Sequence, residues 1–232
     1  MKQNILFSLF LLIGVLSLTV FSISDINGEI FNPNGKVVII GFGIGHIDQL
    51  MPTTYSSAKT LLNNAVHWVS LSDSPRILLL IDPSVTLLGD RSLDPDFIEE
   101  FLSEFSIDRM VDPLDGISIT DLKNYDIVIW SGEYSPLPSP SHSNTSRTLL
   151  EFFETGHGVI LISDDATWDS TSGDPKNSSE VTRSLTQVVT RDTGVPRDIQ
   201  TVISTFEGQQ HPIMSGILRI NVLSELISIN DL

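Results

Sequence analysis

Gly156-His157-Gly158-Val159-Ile160-Leu161-Ile162-Ser163-Asp164-Asp165 is the stretch on which the fold turns. Four consecutive apolar residues between glycines and a polar triplet are too short for a helix. The run Val159–Ile162 therefore reads as a strand buried on both faces, as in a parallel sheet. Upstream, Leu149 to Thr155 has helical spacing and stops at Gly156. The same strand signature recurs at Ile127–Trp130, Ile77–Ile81 and Lys36–Ile40. Between these runs lie helical patterns. Ser56 to Val69 places Ala58, Leu61, Leu62, Ala65 and Val66 on one side, with Trp68 and Val69 at its end. Asp94-Pro95 opens a second helix with N-cap and N1 signals, and Phe97, Ile98, Phe101, Leu102 and Phe105 give it an apolar face. A short strand is expected near Arg109–Val111, a loop over the Pro- and Ser-rich Ser135 to Ser146, and a helix over Val181 to Val189. Thr201–Ser204 is a last strand candidate, and His211-Pro212-Ile213, with His211 ordering the turn, opens an apolar tail.

Strands alternating with helices predict an α/β fold: a flavodoxin-like, doubly wound, mostly parallel sheet with helices on both faces. Ligands of such sheets bind beyond the carboxyl ends of the strands, near the point where strand order reverses. Those ends carry His46, Asp82, Ser131 to Glu133, and Ser163 to Asp165.

The 232 residues suffice for one domain and a targeting segment. Lys2 precedes an uncharged run from Ile5 to Ile23, and Ser22 and Ser24 are the small residues signal peptidase reads. Residues 1–24 are thus expected to be a signal peptide or an N-terminal membrane anchor, with residues 35–232 a single domain outside the cytoplasm. Twenty-nine acidic against 13 basic residues give a net charge of −16, which repels nucleic acid and anionic lipid. The chain has no cysteine, which removes disulfides, thiolate metal sites and cysteine catalysis. Asn144-Thr145-Ser146 and Asn177-Ser178-Ser179 are glycosylation sequons in stretches read as polar loops.

Several segments resemble the class I glutamine amidotransferase-like superfamily. Leu122-Lys123-Asn124-Tyr125-Asp126-Ile127-Val128-Ile129 is similar to its segment leading into a strand, and Gly156 to Ile162 to its glycine-led central strand. His211-Pro212-Ile213-Met214-Ser215-Gly216 resembles a turn of the ThuA-like branch. Lys36 to Ile40, Gly45-His46 and Asn64-Ala65-Val66-His67-Trp68 resemble that branch's last strand and helix. Leu149 to Gly194 is similar to the non-catalytic GIFT-type domains.

Two departures from the family matter. Where it keeps a nucleophilic cysteine, this chain has Ser163-Asp164-Asp165. The strand and helix that resemble the family's last ones stand first. Either the domain is circularly permuted, with 35–70 completing the sheet of the main part (76–216) beside the strand near Thr201, or 35–70 is the remnant of an upstream repeat. The permutation is favoured, because so apolar a strand is expected to need neighbours on both sides. A piece of a longer tandem surface protein is a third arrangement.

The resemblance without its nucleophile implies a non-catalytic extracytoplasmic binding or assembly domain. The alternative is a ThuA-like hydrolase of carbohydrates or esters, with Ser163 as nucleophile and His46 as base. Asp82, Asp164 and Asp165 would supply oxygen ligands to Ca²⁺ or Mg²⁺; equally, they cap and turn the segments after their strands. Glu133 and Trp168 join them as candidate ligand-binding residues, a carboxylate beside an aromatic ring being suited to sugar. The partners expected are a small molecule, a carbohydrate or a protein at the cell surface.

Overall fold

The computed structural model describes residues 35–40, 44, 52–81, 93–113, 115–131, 140–162, 190–192, 200–202, 210–217, 220–222 and 227–229. Five strands make one wholly parallel sheet: β1 (Lys36–Ile40), β2 (Arg76–Ile81), β3 (Ser106–Val111), β4 (Ile127–Ser131) and β5 (Gly158–Ile162), in the spatial order β1-β5-β4-β2-β3. If β1 is counted last, this is the flavodoxin order 2-1-3-4-5. The helices are α1 (Pro52–Val69), α2 (Leu93–Phe101), α3 (Ile119–Leu122) and α4 (Pro140–Glu154).

Right-handed crossovers explain where the helices lie. The chain moves towards the β3 edge through α1 and α2, and Leu61, Leu62, Val66, Ile98 and Phe101 pack with Ile77, Leu79, Ile127 and Ile160 on one face. It returns through α3 and α4, and Leu122, Leu149, Phe152 and Phe153 pack with Leu78, Val128, Trp130 and Leu161 on the other. Successive strand residues thus enter opposite cores, which is why these strands are apolar throughout rather than alternating.

Three expectations are corrected. First, β1 pairs with β5, not with a strand near Thr201. That strand, β7 (Gln200–Val202), pairs antiparallel with β8 (Ile220–Val222) in a separate two-stranded sheet. A second such sheet joins β6 (Thr190–Asp192) to β9 (Ile227–Ile229). Second, β1 has one strand neighbour among the described residues. Its apolar side chains need cover on two faces rather than two pairing partners, and Val38 and Ile40 enter one core while Val37 and Ile39 enter the other. Third, Pro140 to Ser146 belong to α4 rather than to a loop. Proline is tolerated in a first helical turn. The small polar residues that follow have partners: Thr145 Oγ1 donates to Asp112, Asn144 Nδ2 to Asp115 O, and Thr148 Oγ1 to Ile117 O.

β3 is an edge strand among the described residues and is correspondingly polar. Arg109 pairs with Asp96 at 2.8 Å, and Asp108 accepts from Arg76 at 3.2 Å and from Tyr125 at 2.9 Å. Burial, and then the bond to Asp108, push the Tyr125 phenol above its ordinary value. Charges of this kind blunt a sheet edge against further pairing. Phe105 lies just past α2 and packs against the same core from there. The helix expected over Val181 to Val189 lies outside the described residues, as do residues 1–34 with the leader. Among the described residues no helix is long and apolar enough to cross a membrane.

Candidate functional site

The connection leaving β2 runs towards β3 on one face, and the one leaving β4 runs towards β5 on the other. Strand order therefore reverses between β2 and β4, and the crevice such a reversal leaves lies beyond their carboxyl ends. The register defines its floor. Ile40, Ile162, Ser131 and Ile81 stand side by side as the last residues of β1, β5, β4 and β2. Three are buried isoleucines; the fourth is a serine. Ser131 is fully buried, and its Oγ has no hydrogen-bond partner among the described residues. Alternation along β4 puts it on the face of Ile127 and Ile129.

A buried hydroxyl without a partner has lost its hydration and gained nothing in return, at a cost of about 1–3 kcal/mol. Such groups are uncommon in folded proteins. This one stands at the end of a central strand, at the reversal point, where the chain next continues through Gly132 and Glu133. An alanine would complete the row without the penalty.

The residues singled out from sequence follow these strand ends. Asp82 comes directly after Ile81, Glu133 two residues after Ser131, and Ser163, Asp164 and Asp165 directly after Ile162. The segments that begin at 82, 132 and 163 thus leave from three adjacent strands, the outer two about 10 Å apart by two strand spacings. Ser163, His46, Asp82, Glu133, Asp164, Asp165 and Trp168 themselves lie outside the described residues. Among the described residues there is no group of three or more His, Cys, Asp or Glu able to hold a metal.

The amino end of the sheet is built differently. Lys36 Nζ donates to Trp68 O at 2.7 Å and lies over the Trp68 ring, 5.0 Å from its centroid. His211 meets that ring edge-on at 5.4 Å, and its Nδ1 accepts from Ile213 N at 3.3 Å. Burial pushes the His211 imidazole below its ordinary value. Asn64 Nδ2 donates to Ile213 O at 2.9 Å and Ser215 O at 2.8 Å, clasping the His-Pro-Ile turn to α1. His157 stacks on Phe152 at 4.3 Å, just before β5. His67 lies edge-on to Phe105 at 5.4 Å, just before β3. His67, His157 and His211 are thus held at the end remote from the crevice. Of the five histidines, only His46 and His142 are left as bases for it.

Ser131 stands among the strand-end residues of the sequence without a mark of its own; its signal is one serine closing the run Ile127-Val128-Ile129-Trp130. Asp112, buried directly after β3, carries no such signal and accepts from the buried Thr145 hydroxyl at 2.8 and 2.9 Å.

No known family profile matches the chain, and no curated protein sequence matches it significantly. Among solved structures it aligns with a provisionally assigned peptidase E of Listeria monocytogenes EGD-e at 12% identity and a TM-score of 0.40, over 56% of this chain and 59% of that one. A peptidase from an acI-B1 actinobacterium aligns at 11% identity and a TM-score of 0.38, over 72% and 79%. YbdL from Escherichia coli, given a methionine aminotransferase function, aligns at 12% identity and a TM-score of 0.28, over 74% and 40%. The chain spans little more than half of the Listeria protein's length. Likenesses this distant say nothing of its activity; the parallel register and strand order by themselves make this an α/β domain of the flavodoxin-like class.

Proposed function

We propose that this is an exported, non-catalytic binding or assembly domain of the glutamine amidotransferase-like kind, whose ligand seats beyond the carboxyl ends of β2, β4 and β5. The Ser131 hydroxyl at the reversal point carries the reading: it is a buried polar group, without a hydrogen-bond partner among the described residues, at the strand end where this class of sheet takes ligands. The ligand classes the flanking sequence suits are a hard cation, through Asp82, Asp164 and Asp165, and a carbohydrate, through Glu133 and Trp168. The loss of the family's cysteine and the commitment of three histidines to the far end both favour binding over catalysis.

Two assays on residues 25–232 test this. Calorimetric titration with Ca²⁺, Mg²⁺ and a panel of neutral mono- and disaccharides should give saturable binding to at least one, lost in Asp82→Asn or Trp168→Ala. A fluorophosphonate probe should label no serine. Labelling of Ser163 that disappears in His46→Ala would replace this reading with the hydrolase.

A further inference from the structure

A second feature lies beyond the carboxyl end of β3. The segment after β3, the first turn of α3 and the early part of α4 enclose an open groove of about 610 Å³, within the range of about 300–1,000 Å³ in which small ligands are seated. Its lining joins Pro113 and the buried Ile117 to the polar Asp115, Ser118 and Arg147. At its edge stands the exposed Asn144, first residue of the sequon Asn144-Thr145-Ser146.

We propose that Asn144 is an N-glycan acceptor, modified before the domain folds, and that the groove beside it seats the first sugar. The inference rests on the reading that the domain is exported, into a compartment with a glycosylating transferase. In the transfer, Nδ2 of Asn144 forms a bond to C1 of the sugar while the bond from C1 to the oxygen of a lipid-linked phosphate breaks. The phosphate leaves with the electron pair, and Nδ2 loses one proton. One N–H remains on Nδ2, whose partner in this structure is Asp115 O at 2.9 Å. That bond holds the amide against the groove, so a sugar on the same nitrogen starts at its rim. A lining that mixes apolar and hydrogen-bonding groups suits a sugar ring, whose faces are C–H and whose edge is hydroxyl.

Folding closes the acceptor. A transferase reads the sequon through its threonine hydroxyl, but Thr145 is fully buried on α4 with that hydroxyl committed to Asp112. Modification therefore precedes the docking of α4 on the segment after β3.

The test is secretion of the full chain from a glycosylating yeast, once with its own leader and once with that of a protein known to be secreted. Peptide mass spectrometry reads Asn144 in each. With the substituted leader, most Asn144 should carry glycan, and none should in Thr145→Ala; secreted protein bare at Asn144 overturns the proposal. Failure with the native leader alone would count against export and leave the acceptor standing. Bare protein offered to purified transferase and lipid-linked donor should be modified at least tenfold faster when denatured; equal rates contradict closure by folding. Amidase should likewise release the glycan at least tenfold more slowly from the folded protein, and equal rates contradict the seat.

Discussion

The two ends of the sheet solve the same problem in opposite ways. At the amino end, polar and aromatic groups are spent on one another: Asn64 holds two carbonyls, Lys36 and His211 bracket Trp68, and His157 lies on Phe152. At the carboxyl end, the row Ile40, Ile162, Ser131 and Ile81 is apolar except for one hydroxyl without a partner among the described residues. The amino end is satisfied, and this row carries a local cost of the kind functional sites carry.

The contrast can be broken at Gly158. A Cβ there would lie 2.7 Å from Cγ2 and 2.9 Å from Cβ of Val69, where the last turn of α1 closes on the first residue of β5. Gly158→Ala should destabilise by about 1–3 kcal/mol, the range for overpacking, as read by urea denaturation. An unchanged midpoint would mean the amino end is looser than described.

Asn64→Ala comes next. It removes two bonds to carbonyls of the His-Pro-Ile turn and should cost about 1–2 kcal/mol. Hydrogen exchange should rise at Met214 and Ser215, whose amides donate to His211 O and Pro212 O, and stay unchanged in β3.

The smallest effect is pH-dependent. The folded state holds the His211 imidazole below its ordinary value by burial, so below about pH 6.5 the unfolded chain binds the proton more readily. The contribution is fully present above that pH and is lost as pH falls towards the folded-state value. Protonation also removes the Nδ1 lone pair that accepts from Ile213 N, while Lys36 stands across Trp68 as a second cation. Wild type should therefore lose more stability than His211→Asn between pH 7.5 and 5.5, by chemical denaturation at each pH; parallel losses would remove His211 as the cause.

Most of the sheet was legible because β1, β2, β4 and β5 are buried on both faces and read as continuous apolar runs. β3 reads weakly, since an edge strand carrying Asp108 and Arg109 has no such run. The start of α4 reads as a loop, because Pro140 to Ser146 owe their helix to partners distant in sequence, Asp112 and Asp115. The pairing of β7 with β8 was equally hidden, as composition does not say which strand a β-branched triplet will meet. At the candidate site the strands that deliver each segment were legible. Ser131 was not, because a serine closing a strand is unremarkable until its register and burial are known.

The most direct test is calorimetric melting of Ser131→Ala without ligand. If the hydroxyl is left without a protein partner for a ligand, its removal should stabilise the domain by about 1 kcal/mol, raising Tm by about 2–4 °C for a chain of this size. A Tm lowered by as much would show that the hydroxyl contributes to the packed interior, and that the carboxyl end is satisfied in the same way as the amino end.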